Sequence, residues 1–181
     1  PGSPAWLYVS KKIQKELQVP IQGWFAQDAQ FEMGPVFERA QNIRGFQIAS
    51  PSLIGIRCVQ TAFSMIKEAG IDAIAHKAAV GTQMMIDLYD AWLAPLGFVL
   101  NTSRDPKERG GHISLVHPDA AQICVAMREI SNVIPDYRTP NSIRLAISPL
   151  PTSFVEVWDG FARTRDLVAS GQYKTIKEGG S

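Results

Sequence analysis

The stretch Asn141-Ser142-Ile143-Arg144-Leu145-Ala146-Ile147-Ser148-Pro149-Leu150-Pro151-Thr152-Ser153-Phe154 decides how the chain is read. Ile143 to Ile147 has the apolar, partly β-branched make-up of a short buried strand. It stops at Ser148-Pro149 and feeds a helix that opens on Ser153-Phe154-Val155-Glu156, a capping-box pattern. Arg144 interrupts the apolar run between Ile143 and Leu145, where a charge is costly unless it is paired or reaches water. A guanidinium offers a planar fork of donors to a carboxylate, so Arg144 is a candidate anion clamp for a small acid. The plainer reading is a strand-end arginine that snorkels or pairs with a protein carboxylate, which is the commoner use of the residue.

Upstream of this stretch, short strands and helices alternate. Phe98 to Leu100 reads as a strand, and residues 101–111 form a polar loop punctuated by glycine and proline. His112 to Val116 alternates as a half-buried strand does. Pro118 opens a helix with Ala120, Ile123, Cys124, Met127 and Ile130 on its apolar face. Val133-Ile134 begins a strand or turn. After Ser153, the stripe Phe154, Val157, Trp158, Phe161 and Val168 marks the last helix, ending near Ser170-Gly171, and the tail from Lys174 to Ser181 reads as frayed. Residues 97–171 therefore predict a compact α/β lobe with a small mixed or antiparallel sheet.

The first half reads differently. Ala5 to Val9 is an apolar strand pattern, Ser10 to Glu16 a polar turn, and Val19 to Phe25 a punctuated loop or short strand. Phe31, Met33, Val36 and Phe37 are spaced irregularly around Gly34-Pro35, the mark of a long ordered loop, and such loops tend to be functional or interfacial. Ser50 and Pro51 read as N-cap and first position of a helix that ends at Gly70. A second helix carries Ile74, Ala78, Met85, Ile86, Tyr89 and Leu93 at helical spacing and stops at Pro95-Leu96-Gly97. The two helices make a natural lever between lobes, which divides the chain into 1–52, 53–96 and 97–181.

Composition narrows the classes. With 181 residues and 45% hydrophobic content the chain can bury a core as a soluble globular protein. A net charge of +1 without a basic cluster argues against nucleic-acid or anionic-membrane partners. No apolar run reaches the roughly 18–20 residues of a membrane span. The two cysteines, Cys58 and Cys124, fall in helical patterns among apolar neighbours, which favours a reducing, cytoplasmic setting over a disulfide framework. His76, His112 and His117 lack metal-ligand spacing. The chain opens on Pro1-Gly2-Ser3-Pro4 directly before a strand pattern, as the middle of a longer protein would.

Several stretches taken together resemble the kynureninase family of pyridoxal-phosphate enzymes, within the fold-type I, class V aminotransferase-like superfamily. They are Pro1 to Val9, Gly23-Trp24-Phe25, Phe31 with Met33, Gly45-Phe46 with Ile48 and Ser50-Pro51, and Arg104-Asp105-Pro106 with Arg109-Gly110. His112 with Ser114-Leu115 and His117-Pro118, Pro140-Asn141 with Ile143-Arg144, and Pro149-Leu150 with Ser153-Phe154 complete the set. No one of them is specific, but together they run in the family's order along almost the whole chain.

The resemblance implies the C-terminal part of such a fold: the end of the cofactor domain, linking helices and a small α/β domain. It implies that the Schiff-base lysine lies upstream of Pro1, so that Lys11 and Lys12 do not take that role and the isolated chain is inactive. Arg144 then holds the substrate α-carboxylate. Trp24 and Ser50 contact the phosphate of pyridoxal 5'-phosphate from the neighbouring subunit of a homodimer with shared active sites. Without the resemblance, Trp24 reads as a core tryptophan, Ser50 as a plain N-cap and His112 as a structural histidine. The implied reaction is hydrolysis of L-kynurenine or 3-hydroxykynurenine to an anthranilate and L-alanine, a step of tryptophan catabolism and NAD biosynthesis. Ala26-Gln27 after Gly-Trp-Phe and Pro151 after Pro-Leu depart from the family pattern and bear on the aryl pocket. The alternatives are another class V enzyme (transaminase, desulfurase or related lyase), or a non-catalytic lobe that binds carboxylates or serves dimerisation.

Overall fold

A computed structural model describes residues 4–176. The chain forms two compact units, residues 1–68 and 69–181.

In the first unit the chain is mostly loop until helix α1 (Leu53–Ala69). Its order comes from backbone pairing. Ala40 donates to the Ala26 carbonyl at 2.9 Å, Asp28 to Glu38 at 2.7 Å, and Gln27 and Arg39 form an isolated bridge. Arg39 donates to the carbonyls of Gln14 and Ala40 and lies over the Phe46 ring at 5.3 Å. The buried side chains are few and small, chiefly Val9, Ala26 and Ala40. Ala5 to Val9 was expected as a strand but has no strand partner among the described residues. An apolar run has β-propensity only where another strand takes its backbone groups. The start of α1 also differs from expectation. Ser52, not Ser50, accepts the Gly55 N–H at 3.1 Å, and Ser52 also offers its carbonyl to Ile56. The helix begins at Leu53, two residues later than read, so Ser50 and Pro51 lie in the approach and Ser52 takes the cap.

The second unit holds the core. Helix α2 (Ile71–Leu88) continues through a π turn, Tyr89–Leu93, and a 3₁₀ turn, Ala94–Leu96. Gly97 at φ 90° stops it, in a conformation that favours glycine. There follow β1 (Val99–Leu100), β2 (His112–Val116), α3 (Ala120–Glu129), β3 (Asp136–Arg138), β4 (Ser142–Ala146) and α4 (Phe154–Ala169). The strands make one antiparallel sheet in the order β1-β2-β4-β3. Its inner face, Ile113, Leu115, Ile143 and Leu145, packs with Ile86 and Met85 of α2 and Ile123, Cys124 and Met127 of α3. Val157, Phe161, Leu167 and Val168 of α4 close the same cluster. Each such side chain contributes about 1.5–3 kcal/mol through removal from water.

Two local readings of this unit are revised. β3 replaces the expected element at Val133-Ile134, and the chain around Tyr173 is ordered. Tyr173 is buried, donates its hydroxyl to Asp119 at 2.8 Å, and Gln122 donates to the Ile176 carbonyl at 2.5 Å. The order therefore reaches Ile176, and residues 177–181 lie outside the described residues. The capping box at Ser153 and Glu156 forms as read, with both reciprocal hydrogen bonds present.

Candidate functional site

Alternation along β4 places Arg144 on the face of the sheet opposite the core. The charge in the apolar run is thus no contradiction, because Ile143 and Leu145 point one way and Arg144 the other. Register sets its neighbours on that face: Ser114 of β2 on one side and Asp136 of β3 on the other. One row along, Val116, Ser142 and Arg138 stand level.

Arg144 donates through Nη2 to Oδ2 of Asp136 in a short ion pair. Arg138 reaches the same oxygen with Nε at 3.0 Å and Nη2 at 2.9 Å. Partial burial pushes the Asp136 carboxyl up, but the Arg138 hydrogen bond and the charges of both guanidiniums outweigh it and hold the group below the usual carboxylate range. Asp136 escaped the sequence reading because its strand has three residues. The signal available was an acidic residue two positions from an arginine, just ahead of the Arg144 strand.

The loop before β2 is fixed by the arginines of its Arg-Asp-Pro stretch. Arg104 grips Asp90 bidentately at 2.8 and 2.7 Å. Arg109 donates to Thr82 Oγ1 at 3.0 Å, to Gln83 at 2.8 Å and to the Arg104 carbonyl. The sequence showed these residues only as part of a family pattern, and the structure gives them a purpose in tying loop 101–111 to α2. His112 stands at the edge of the outer face, paired with Ala146.

Trp24 and Ser50 belong to the first unit. Trp24 opens a 3₁₀ turn, Trp24–Ala26, and is 49% exposed, so it is no core plug. Its ring meets Phe25 edge-on at 4.6 Å and Phe31 at 6.3 Å. It lines an open groove of ≈ 430 Å³ with Gln27, Met33, Pro35 and Phe37. Gln27, one of the departures from the family pattern, accepts the Glu38 N–H at 2.9 Å. Gly23 presses on the backbone of Ile48 so closely that a Cβ there would collide with it. That contact brings the Trp24 turn against the segment leading into exposed Ser50. Among the described residues, neither the indole N–H nor the Ser50 hydroxyl is engaged by a protein partner, and no group of three His, Cys, Asp or Glu could hold a metal ion. No helix of the described residues is long and apolar enough to cross a membrane.

Residues 74–163 match the family model described as the kynureninase C-terminal domain. This part of the chain belongs to that family. The matched segment includes β1 to β4, Arg144 and Asp136. The chain is 36% identical over 176 residues to a kynureninase of Geobacillus thermodenitrificans, covering 96% of this chain and 41% of that protein. A kynureninase of Bacillus thuringiensis is 34% identical over 179 residues, 98% of this chain and 41% of its own length. One from Shouchella clausii is 34% identical over the same span. The chain thus spans 41% of the length of these kynureninases. The similarity runs beyond the C-terminal domain into the first unit, where Trp24 and Ser50 lie.

Proposed function

We propose that this chain is the C-terminal part of a kynureninase that hydrolyses L-kynurenine or 3-hydroxykynurenine to anthranilate or 3-hydroxyanthranilate and L-alanine. The observation that carries the reading is the match over residues 74–163, with Arg144 standing inside it on the face of the sheet turned away from the core. Pyridoxal 5'-phosphate, when bound, supplies the electron sink for bond breaking at the amino-acid substrate. The donor set of the first unit fits its phosphate: an unengaged indole N–H at Trp24 and an unengaged hydroxyl at Ser50, three residues before the N-terminus of α1. Helix N-termini favour anions. Arg144 receives the substrate carboxylate on its guanidinium fork and so fixes the orientation of the Cα substituents, a positioning role.

In this reading the enzyme is a cytoplasmic homodimer whose active sites are shared, with Trp24 and Ser50 serving the neighbouring subunit. The lysine that anchors the cofactor lies in the part of the kynureninases that this chain does not span. The 181 residues alone would then show no turnover. The many exposed apolar side chains of the first unit, such as Trp6, Leu53 and Ile54, support a surface covered in the complete enzyme.

The ion pair with Asp136 favours a second reading, in which Arg144 only pins the edge strand β3. Kinetics of the complete enzyme separate the two. Arg144→Lys keeps the charge but loses the bidentate fork, so KM should rise and kcat fall, with anthranilate and alanine as products. Unchanged kinetics in Arg144→Lys would overturn the carboxylate assignment. A product other than anthranilate plus alanine from the wild type would point to another class V reaction.

A further inference from the structure

Every contact of the Arg138–Asp136–Arg144 cluster falls on one oxygen, Oδ2 of Asp136. Arg138 commits two nitrogens to it and Arg144 one. Among the described residues, no protein acceptor takes Nε or Nη1 of Arg144, whose side chain is 36% exposed. Two guanidiniums share one carboxylate, so the patch carries one positive charge in excess. A carboxylate arriving at Arg144 neutralises that excess and can replace a single contact by a bidentate one. Asp136 loses little in the exchange, since Arg138, two residues along the same strand and on the same face, already holds it.

We propose that Asp136 is an internal stand-in for the ligand carboxylate, holding Arg144 in the free protein and passing to Arg138 when a carboxylate docks. This rests on the reading of Arg144 as the carboxylate-binding residue and adds two positioning residues to it. Asp136 keeps the long Arg144 side chain extended across the sheet, which reduces the ordering needed on binding. It also competes for the same donors, and the structure offers Arg138 as the device that weakens this competition. The two arginines therefore have opposite relations to Asp136, and their substitutions should not behave alike.

The test is a titration of the 181-residue chain with sodium acetate against sodium chloride at constant ionic strength, read from the Arg144 Nε–H signal in ¹H–¹⁵N spectra. Asp136→Asn retains an acceptor of the same shape without the competing charge, and binding should tighten roughly two- to fivefold, the range of an exposed pair. Arg138→Gln leaves Asp136 entirely to Arg144, and binding should weaken roughly twofold. The double variant decides between hand-over and simple charge. If Arg138 acts through Asp136, the double variant binds as tightly as Asp136→Asn. If each residue only adds its own field, the double variant binds roughly twofold more weakly than Asp136→Asn and the proposal is overturned. Asp136→Asn binding no tighter than wild type overturns it as well. The underlying reading fails separately, through an Arg144→Gln chain that still binds acetate as the wild type does, followed by chemical shifts elsewhere on the sheet.

Discussion

The two units solve the burial problem in opposite ways. The second packs three helices on one face of a sheet and hides its aliphatic side chains, as Ile86, Leu93, Ile113 and Ile123 at 0% exposure show. The first is held by backbone hydrogen bonds and an arginine threaded among carbonyls, while Leu53 and Ile54 of α1 stand 78% and 81% exposed. One unit rests on a packed core, and the other on backbone pairing with large apolar side chains left exposed. A cysteine sits in each, Cys58 exposed on α1 and Cys124 buried in α3. Burial also pushes the Cys124 thiol up to about 11, so little reactive thiolate is present at neutral pH. Alkylation by iodoacetamide at pH 7.5, followed by peptide mass spectrometry, should label Cys58 at least about 100-fold faster, because Cys124 needs an opening reaction of several kcal/mol. Comparable rates would mean that the second unit breathes as freely as the first.

Deleting matched side chains sharpens the same contrast. Ile123→Ala empties a site with no solvent contact and should cost about 2–5 kcal/mol by chemical denaturation. Ile54→Ala removes the same atoms from the exposed face of α1 and should stay within about 0.5 kcal/mol. A cost above that for Ile54→Ala would show that the α1 face is covered in solution, by a second copy of the chain if the cost grows with protein concentration.

The division also explains what could be read in advance. Strong periodicity and sharp punctuation marked the strand at 112–116, the helix ends at Gly70 and Gly171 and the capping box at Ser153, because those signals are local. β3 was not legible, since three residues between Pro135 and the turn at Thr139-Pro140 become a strand only through pairing with β4. Ala5 to Val9 misled in the other direction, an apolar pattern with no strand beside it. Arg144 was visible as a charge in an apolar run, but its partner was not, because Asp136 and Arg144 meet by register and not by spacing. Trp24 and Ser50 came from the family resemblance; as bare residues they looked like a core plug and a cap, and the structure leaves one half-exposed and gives the cap to Ser52.

Between the core and the surface lies the loop before β2, which the second unit ties down with charge. Arg109 spans Thr82 and Gln83 on α2 and the Arg104 carbonyl. Arg109→Ala leaves Thr82, which is fully buried, without that donor and should cost about 1–3 kcal/mol. Hydrogen exchange should speed first at Ser114, whose N–H is taken by Thr102 of the same loop. Faster exchange spread evenly over both units would instead mean that the loop is no separate element.

The smallest expected effect concerns the acid side of the stability curve. Hydrogen bonds from Arg104, from the Ser153 N–H and hydroxyl, and from Arg165 hold Asp90, Glu156 and Asp166 respectively below their ordinary carboxylate range. All three lie in the second unit. Groups depressed in the folded state lend stability above their unfolded values, about 3.9 for Asp and 4.3 for Glu, and lose it as pH falls through the lowered folded ones. Denaturation midpoints of the second unit should therefore be flat from pH 7 to about 5 and decline below about 4. Glu156→Gln isolates one of the three, because glutamine can still accept from Ser153 and preserve the capping box while carrying no titrating charge. Its decline between pH 5 and 2.5 should be shallower than that of the wild type. If the two curves run parallel throughout, the Glu156 charge adds nothing to the cap, and the box holds α4 by hydrogen bonding alone.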